Sequence, residues 1–355
     1  MSSVFERVPK TYSGLAVWAD TGAPAGCTSY KTLVLLHGFG SHAEIFSRLL
    51  PFAGKFKCRI ITVNRRDYPG SGPYSDEERL MLTTALESTP EAAETMREYM
   101  KARGREVYDL LRGLIVDENL PLDGGIIIAG WSYGSSWMLA LLASISSFPA
   151  NDVEVAKYIH RVVTYDPPYH ALGYPPPAGG YNPLFDPSVT REEGVKLFGS
   201  WVSGYFKHGE SPSELEYRTQ LDNPRPTLAT MSSEDAAATK HPAPTLPGGS
   251  DHNTLTANIK HGVSAYIKDL ALYPPADAED PWRDVEWRYI WCDQSVWEMP
   301  WGMHALRAEL DEAAGAGKAV RKVSVVRWRR ANHFIHWDEP ERALEGFLTD
   351  TTDDL

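Results

Sequence analysis

What this sequence lacks narrows its chemistry before any motif is considered. Cysteine is scarce: Cys27, Cys58 and Cys292 are scattered without metal-ligand spacing. An odd count of three sets aside a disulfide framework and suits a reducing compartment. No apolar run approaches the roughly 20 residues needed to span a bilayer. The N-terminal stretch, Met1 to Lys10, carries charged residues early and has no apolar segment of signal-peptide length. The cytoplasm is therefore the expected location. Positive charge is also in short supply, with 35 Lys and Arg against 47 Asp and Glu and a net charge of −12. Such a mean field repels nucleic-acid backbones and anionic membranes. The one basic cluster, Arg321 to Arg330, alternates with apolar residues and reads as a strand. There is no HExxH pair, and the glycines of NRRDYPGSG lack the lysine of a phosphate-binding loop. No metal and no organic cofactor is expected.

What is present is ordinary globular material, 43% hydrophobic and 23% charged. At 355 residues the chain can hold one large α/β core with an inserted subdomain, or two domains. Its clearest regularity is the alternation of strands with helices, which implies a mostly parallel sheet covered on both faces. Thr32 to Leu36 (TLVLL) is a short continuous apolar run, the pattern of a strand buried on both sides. A helix capped by Ser41 is expected to run to about Phe52, followed by a strand at Cys58 to Asn64. Pro90 to Glu118 reads as a long helix, with Glu91 and Glu94 favouring its N-terminal dipole. Gly125 to Ala129 (GIIIA) is a strand, Ser135 to Ser147 a helix, and Arg161 to Tyr165 a further strand.

The rhythm breaks from Pro167 to Gly262, where two Pro/Gly-rich stretches flank short helical segments carrying Trp201, Tyr205 and Phe206. A structureless loop of that length is uncommon inside a compact domain, so 167–262 is read as an inserted cap. The core is then 1–166 plus 263–355. Strands at Glu286 to Trp291 and Val320 to Trp328, with helices at Met303 to Ala314 and Pro340 to Phe347, complete it.

Three elements carry chemistry. Gly130-Trp131-Ser132-Tyr133-Gly134 follows a buried strand and precedes a helix, the context in which a G-x-S-x-G string acquires meaning. A sharp turn there lifts the serine hydroxyl clear of the backbone, and glycines on either side remove clashing Cβ atoms. His37-Gly38-Phe39-Gly40 follows the TLVLL strand. A tetrahedral oxyanion needs preorganised N–H donors, and the backbone amides of Phe39 and Tyr133 are the candidates. Finally, Asn332-His333-Phe334-Ile335-His336 comes after the last strand. A base of near-neutral pKa suits histidine; His333 is preferred to His336 because it falls first after the strand.

Together these elements resemble the α/β-hydrolase family. HGFG is similar to its oxyanion loop, GWSYG to its nucleophile elbow, and NHFIHWDEPE to its histidine loop. Asn64 to Ser75 (NRRDYPGSGPYS) resembles the D-x-x-G-x-G-x-S segment and has a fungal flavour. The resemblance covers about 1–166 and 285–350. It implies an α/β-hydrolase fold with an inserted cap, and a triad of Ser132, an acid and His333. The acid departs from the common pattern, because Ser295 stands at its usual position in CDQSVWEMP. Asp166, at the end of RVVTY, fits the arrangement in which the acid follows the strand after the nucleophile's helix. Asp293 is the alternative, with Glu298 a third possibility.

Serine in the elbow argues against epoxide hydrolase and haloalkane dehalogenase chemistry, which need a carboxylate nucleophile. The expected activity is hydrolysis of a medium-sized, apolar ester or lactone through an acyl-enzyme. Trp131 and Trp297 are expected to wall the pocket. Two other readings stay open: a biosynthetic acyl-transferring, cyclising or thioesterase enzyme on the same triad, and a non-catalytic small-molecule receptor on the same fold.

Overall fold

The computed structural model describes residues 10–148, 153–274 and 281–355. The reading of Met1 to Pro9 lies outside them. The strands are β1 (Thr11–Tyr12), β2 (Leu15–Asp20), β3 (Thr32–Leu36), β4 (Arg59–Asn64), β5 (Ile126–Trp131), β6 (Ile159–Tyr165), β7 (Glu286–Cys292) and β8 (Val323–Trp328). They form one sheet in the order β1-β2-β4-β3-β5-β6-β7-β8. β1 and β2 are antiparallel to their neighbours, and the sheet from β4 to β8 is parallel. The β1–β2 hairpin was not anticipated. It turns through Ser13 and Gly14, both at positive φ, and adds an edge beside β4.

The parallel strands are apolar on both faces because both are covered. Along β3, Val34 and Leu36 face a core that includes Met96, Met100 and Trp137. Leu33 and Leu35 face the opposite core, with Ile45, Phe46, Leu344 and Phe347. This alternation, read along TLVLL, is the two-residue period of a strand.

Helix boundaries differ from expectation where local chemistry decides. The segment Ala43–Phe52 is a 3-10 helix, and its cap is His42, whose ring accepts from Glu44 N. Ser41 instead bridges to Lys240. The helix Pro90–Asp117 is capped by Thr89, which accepts from Ala92 N, with Pro90 in the first turn where its missing N–H is not needed. The helix Glu298–Gly315 begins earlier than expected, because Pro300 falls in its first turn and does not break it.

Between β6 and β7, Trp201, Phe206 and Leu215 gather with Val296, Trp297 and Met299 in a satellite apolar cluster. The helices Ser250–Lys260 and Val263–Leu272 pack elsewhere, against Asp76–Thr84, Pro90–Asp117 and Ser135–Ser144. Among the described residues no helix is long and apolar enough to cross a membrane.

Gly104 sets how closely the long helix approaches Ser135–Ser144, since a Cβ there would lie 2.4 Å from Ala140 O. Alanine normally stabilises a helix interior over glycine by about 1 kcal/mol. Here the sign should reverse. Gly104→Ala is expected to destabilise by about 1–3 kcal/mol through overpacking, measured as a lower midpoint in denaturant unfolding.

Candidate active site

The chain's chemical residues collect at the C-terminal ends of β3, β5 and β6 and in the loop after β8. β3 lies between β4 and β5, so the connections leaving β3 and β5 diverge there. The crevice outside such a switch point is where open α/β sheets bind ligands.

Ser132 follows β5 directly and adopts φ +54°. A left-handed backbone is uncommon for a non-glycine residue and stores strain. The neighbouring loops leave no room for side chains. A Cβ on Gly38 would lie 2.8 Å from Ser132 Cβ, one on Gly130 2.3 Å from Gly134 O, and one on Gly134 2.6 Å from His37 O. The HGFG loop and the serine turn are thus pressed backbone to backbone. Ser132 stays half-buried, while Tyr133 is buried and Phe39 half-buried with its ring edge-on to Tyr133.

Asp166 follows β6 directly, also in the left-handed region at φ +47°. Its carboxylate is 0% exposed, and three donors converge on it. Cys292 N donates to Oδ1 at 2.8 Å, Ser295 Oγ to Oδ2 at 2.6 Å, and His333 Nδ1 to Oδ2 at 2.7 Å. With the carboxylate accepting from Nδ1, Nε2 is left as the basic nitrogen of His333. Ser295, which occupies the more usual acid position, thus supports Asp166 instead. Asp293 turns away: it accepts from Arg327 Nε at 3.0 Å and Arg330 N at 2.6 Å.

His333 is held from several sides. Trp131 Nε1 donates to His333 O at 2.9 Å, and the two rings lie 4.9 Å apart. Asn332, buried beside it, donates to Ser203 O and Thr227 Oγ1 and accepts from Phe334 N. His336 belongs to the core. It packs on Phe46, Trp131 and Tyr165, and burial, reinforced by His333, pushes its pKa well below the ordinary histidine value.

The two expected pocket walls part company. Trp131 is only 2% exposed, packed beneath the site against Phe46 and Phe334. Strand parity explains this: Ile127, Ala129 and Trp131 share one face of β5, the face that meets the C-terminal helix. Trp297, equally buried, borders a recess of about 320 Å³ with Tyr169, Tyr181, Asn182, Phe185 and Glu298, a recess lined by none of Ser132, Asp166 or His333.

Sequence reasoning also passed over a buried network behind the HGFG loop. Arg65 is 0% exposed and pairs through both terminal nitrogens with Asp251, each bond 2.7 Å. It also donates to His37 O and Gly38 O, at 3.2 and 2.9 Å. Tyr68 Oη donates to Asp251 at 2.7 Å and accepts from Gly40 N at 3.2 Å. In sequence the adjacent arginines of NRRDYP had no role of their own. The partner that gives Arg65 one lies 186 residues away.

Comparison with known proteins agrees with this architecture. The profile of the Alpha/beta hydrolase family matches residues 33–345. The chain belongs to that family. No curated protein matches it in sequence. In fold, this hydrolase-family chain is similar to an epoxide hydrolase from Vigna radiata, at 14% identity and a TM-score of 0.50, over 95% of this chain and 94% of the other. A variant of the Solanum tuberosum epoxide hydrolase gives 12% identity and a TM-score of 0.50, over 96% and 97%. An esterase from Exiguobacterium antarcticum gives 14% identity and a TM-score of 0.43, over 94% and 95%. The expectation of a mostly parallel α/β-hydrolase sheet holds.

Glu298 offers a pH test of the recess. Its side chain is 7% exposed, and burial pushes its carboxyl from 4.5 up to about 7, against the opposing hydrogen bond from Asn182. A raised folded pKa gives stability that is complete below the unfolded value and lost as pH rises through about 7. Glu298→Gln removes that loss. The variant should gain on wild type by up to roughly 3 kcal/mol between pH 4.5 and 8, read from thermal melts at both pH values.

Proposed function

We propose that this chain is a serine hydrolase that cleaves a carboxylic ester or lactone, with Ser132 as nucleophile, His333 as base and Asp166 as the orienting acid. The observation that carries the reading is the 2.7 Å hydrogen bond from His333 Nδ1 to Asp166, set behind a half-buried serine on a left-handed elbow.

Ser132 Oγ attacks the carbonyl carbon and its proton passes to His333 Nε2. The backbone amides of Phe39 and Tyr133 receive the oxyanion. Collapse of the tetrahedral intermediate expels the alkoxide, which takes the proton from Nε2 and leaves an acyl-enzyme on Ser132. Water then attacks the acyl carbon and gives its proton to Nε2. The second collapse releases the acid and returns the proton to Ser132. Throughout, Asp166 fixes the tautomer of His333 and stabilises the imidazolium that forms twice per cycle. The likeness to epoxide hydrolases is one of fold, and a serine at the elbow supports acyl transfer in place of epoxide opening.

The segment 167–262 is proposed as a cap over the site, where it would set specificity. The aromatic content of this segment, with Trp201 and Phe206 gathered against Trp297, supports a medium-sized apolar substrate.

Hydrolysis of p-nitrophenyl esters of graded chain length tests the reading. Turnover should peak at a medium acyl length and vanish in Ser132→Ala; activity confined to short polar acyl groups would count against the substrate class. Asp166→Asn should lower kcat by about 10⁴, since asparagine tolerates the left-handed backbone but cannot hold the same tautomer of His333. Asp293→Asn should stay close to the wild-type rate. Comparable losses in the two variants would remove Asp166 from the triad.

A further inference from the structure

We infer that the buried Arg65–Asp251 ion pair is the device that forms the oxyanion hole, by fixing which way the Gly38–Phe39 peptide faces. This inference rests on the serine-hydrolase reading above and concerns two positioning residues that touch no substrate themselves.

The argument starts from peptide geometry. A trans peptide is planar, and its C=O and the following N–H point in opposite directions. Gly38 O belongs to the same peptide unit as the Phe39 N–H. That oxygen is held inward by Arg65 Nη2 and by His37 Nδ1, each at 2.9 Å. The Phe39 N–H must therefore face away from Arg65. Among the described residues this amide has no protein acceptor. Buried or half-buried donors without partners are uncommon and call for an acceptor from outside the chain. The side of Gly38 where a Cβ would stand looks onto Ser132 Cβ and Oγ, at 2.8 and 3.3 Å. A donor without a protein partner beside the serine hydroxyl is what an oxyanion hole requires.

Arg65 can hold that peptide only if it is itself fixed. Its guanidinium is fully buried, lies 4.2 Å from the Trp137 ring centroid, and is gripped by both oxygens of Asp251. A planar fork with fixed donors can serve a carboxylate and two carbonyls at once, which a lysine ammonium cannot. Asp251 lies in the first turn of Ser250–Lys260, within the proposed cap segment. The same stretch of chain also straps the loop directly. His42 N donates to Thr239 O at 3.0 Å and His241 N donates to Gly40 O at 2.9 Å. The end of the insert, residues 239–251, thus holds the oxyanion loop as well as returning the chain to the core.

The test uses the full-length protein. Removing one partner would strand a buried charge, so the informative variant removes both: Arg65→Met with Asp251→Leu, an apolar pair that commonly keeps a fold intact. Arg65→Lys is the second variant; it keeps the charge opposite Asp251 but gives up the paired carbonyl contacts. Each is measured with a p-nitrophenyl ester, with a trifluoromethyl ketone that mimics the oxyanion, and by fluorophosphonate labelling of Ser132. The expected result is kcat lower by about 10²–10³ with KM within about twofold of wild type, because the lost interaction exists only in the transition state. Affinity for the ketone should fall by the same factor as kcat/KM, and the acidic limb of the pH profile should not move, since His333 and Asp166 are untouched. A folded variant of either kind that keeps kcat within about threefold overturns the proposal, as does a loss that appears in KM with ketone affinity unchanged. If wild type itself neither labels nor turns over ester, the serine-hydrolase reading fails and takes this inference with it.

Discussion

The rest of the site depends on one constraint: two backbone turns, one after β3 and one after β5, must pack against each other with nothing between them. Gly38, Gly130 and Gly134 make this possible, and any Cβ at these positions would fall within 3 Å of a neighbouring atom. Because β3 and β5 are adjacent and parallel, with Leu36 opposite Gly130, the turns leave the sheet at the same height and on the same edge. Ser132 is forced into the left-handed region at that contact. The strain is sustained by the buried strand below and by the helix Ser135–Ser144 above, both of which are well packed in the core.

Around that contact the structure builds inward-facing polar supports, each desolvated and each paired. Asp166 collects an amide, a hydroxyl and an imidazole. Arg65 collects a carboxylate, two carbonyls and an aromatic face. Buried polar groups of this kind are costly unless fully satisfied, and satisfied they impose one arrangement. The segment between β6 and β7 takes part in both sets of supports. Ser203 and Thr227 hold Asn332 beside His333, and Asp251 holds Arg65 behind the HGFG loop. The stretch read in sequence as an inserted cap is hydrogen-bonded to the loops that carry His333 and the HGFG turn.

Some of this was legible from residue order. The strand TLVLL before HGFG and the strand GIIIA before GWSYG are short apolar runs ending in glycine-bearing turns, and local chemistry alone sets such patterns. The N-terminal hairpin was not anticipated because β1 is only two residues long and the antiparallel β2, LAVWAD, stands outside the strand–helix alternation that marks the parallel sheet. Trp131 was misjudged for a different reason. An aromatic beside the serine looks like a pocket wall, but the two-residue period of β5 carries it under the sheet edge, where it supports the histidine loop.

The sequence by itself determined the family-like order of motifs, the strand–turn–helix setting of Ser132, and the placement of His333 in the loop after the last strand. These are short-range features, in which side-chain size, glycine and periodicity act within a few residues. Only the tertiary structure decided which carboxylate meets His333. Asp166 and Asp293 each directly follow a strand in acceptable chain order, but the β6–β7 pairing brings Cys292 N and Ser295 Oγ onto Asp166, while Arg327 draws Asp293 the other way. The Arg65–Asp251 pair was decided the same way. Its partners are separated by 186 residues, and no local pattern can encode a contact whose existence depends on how the whole sheet is covered.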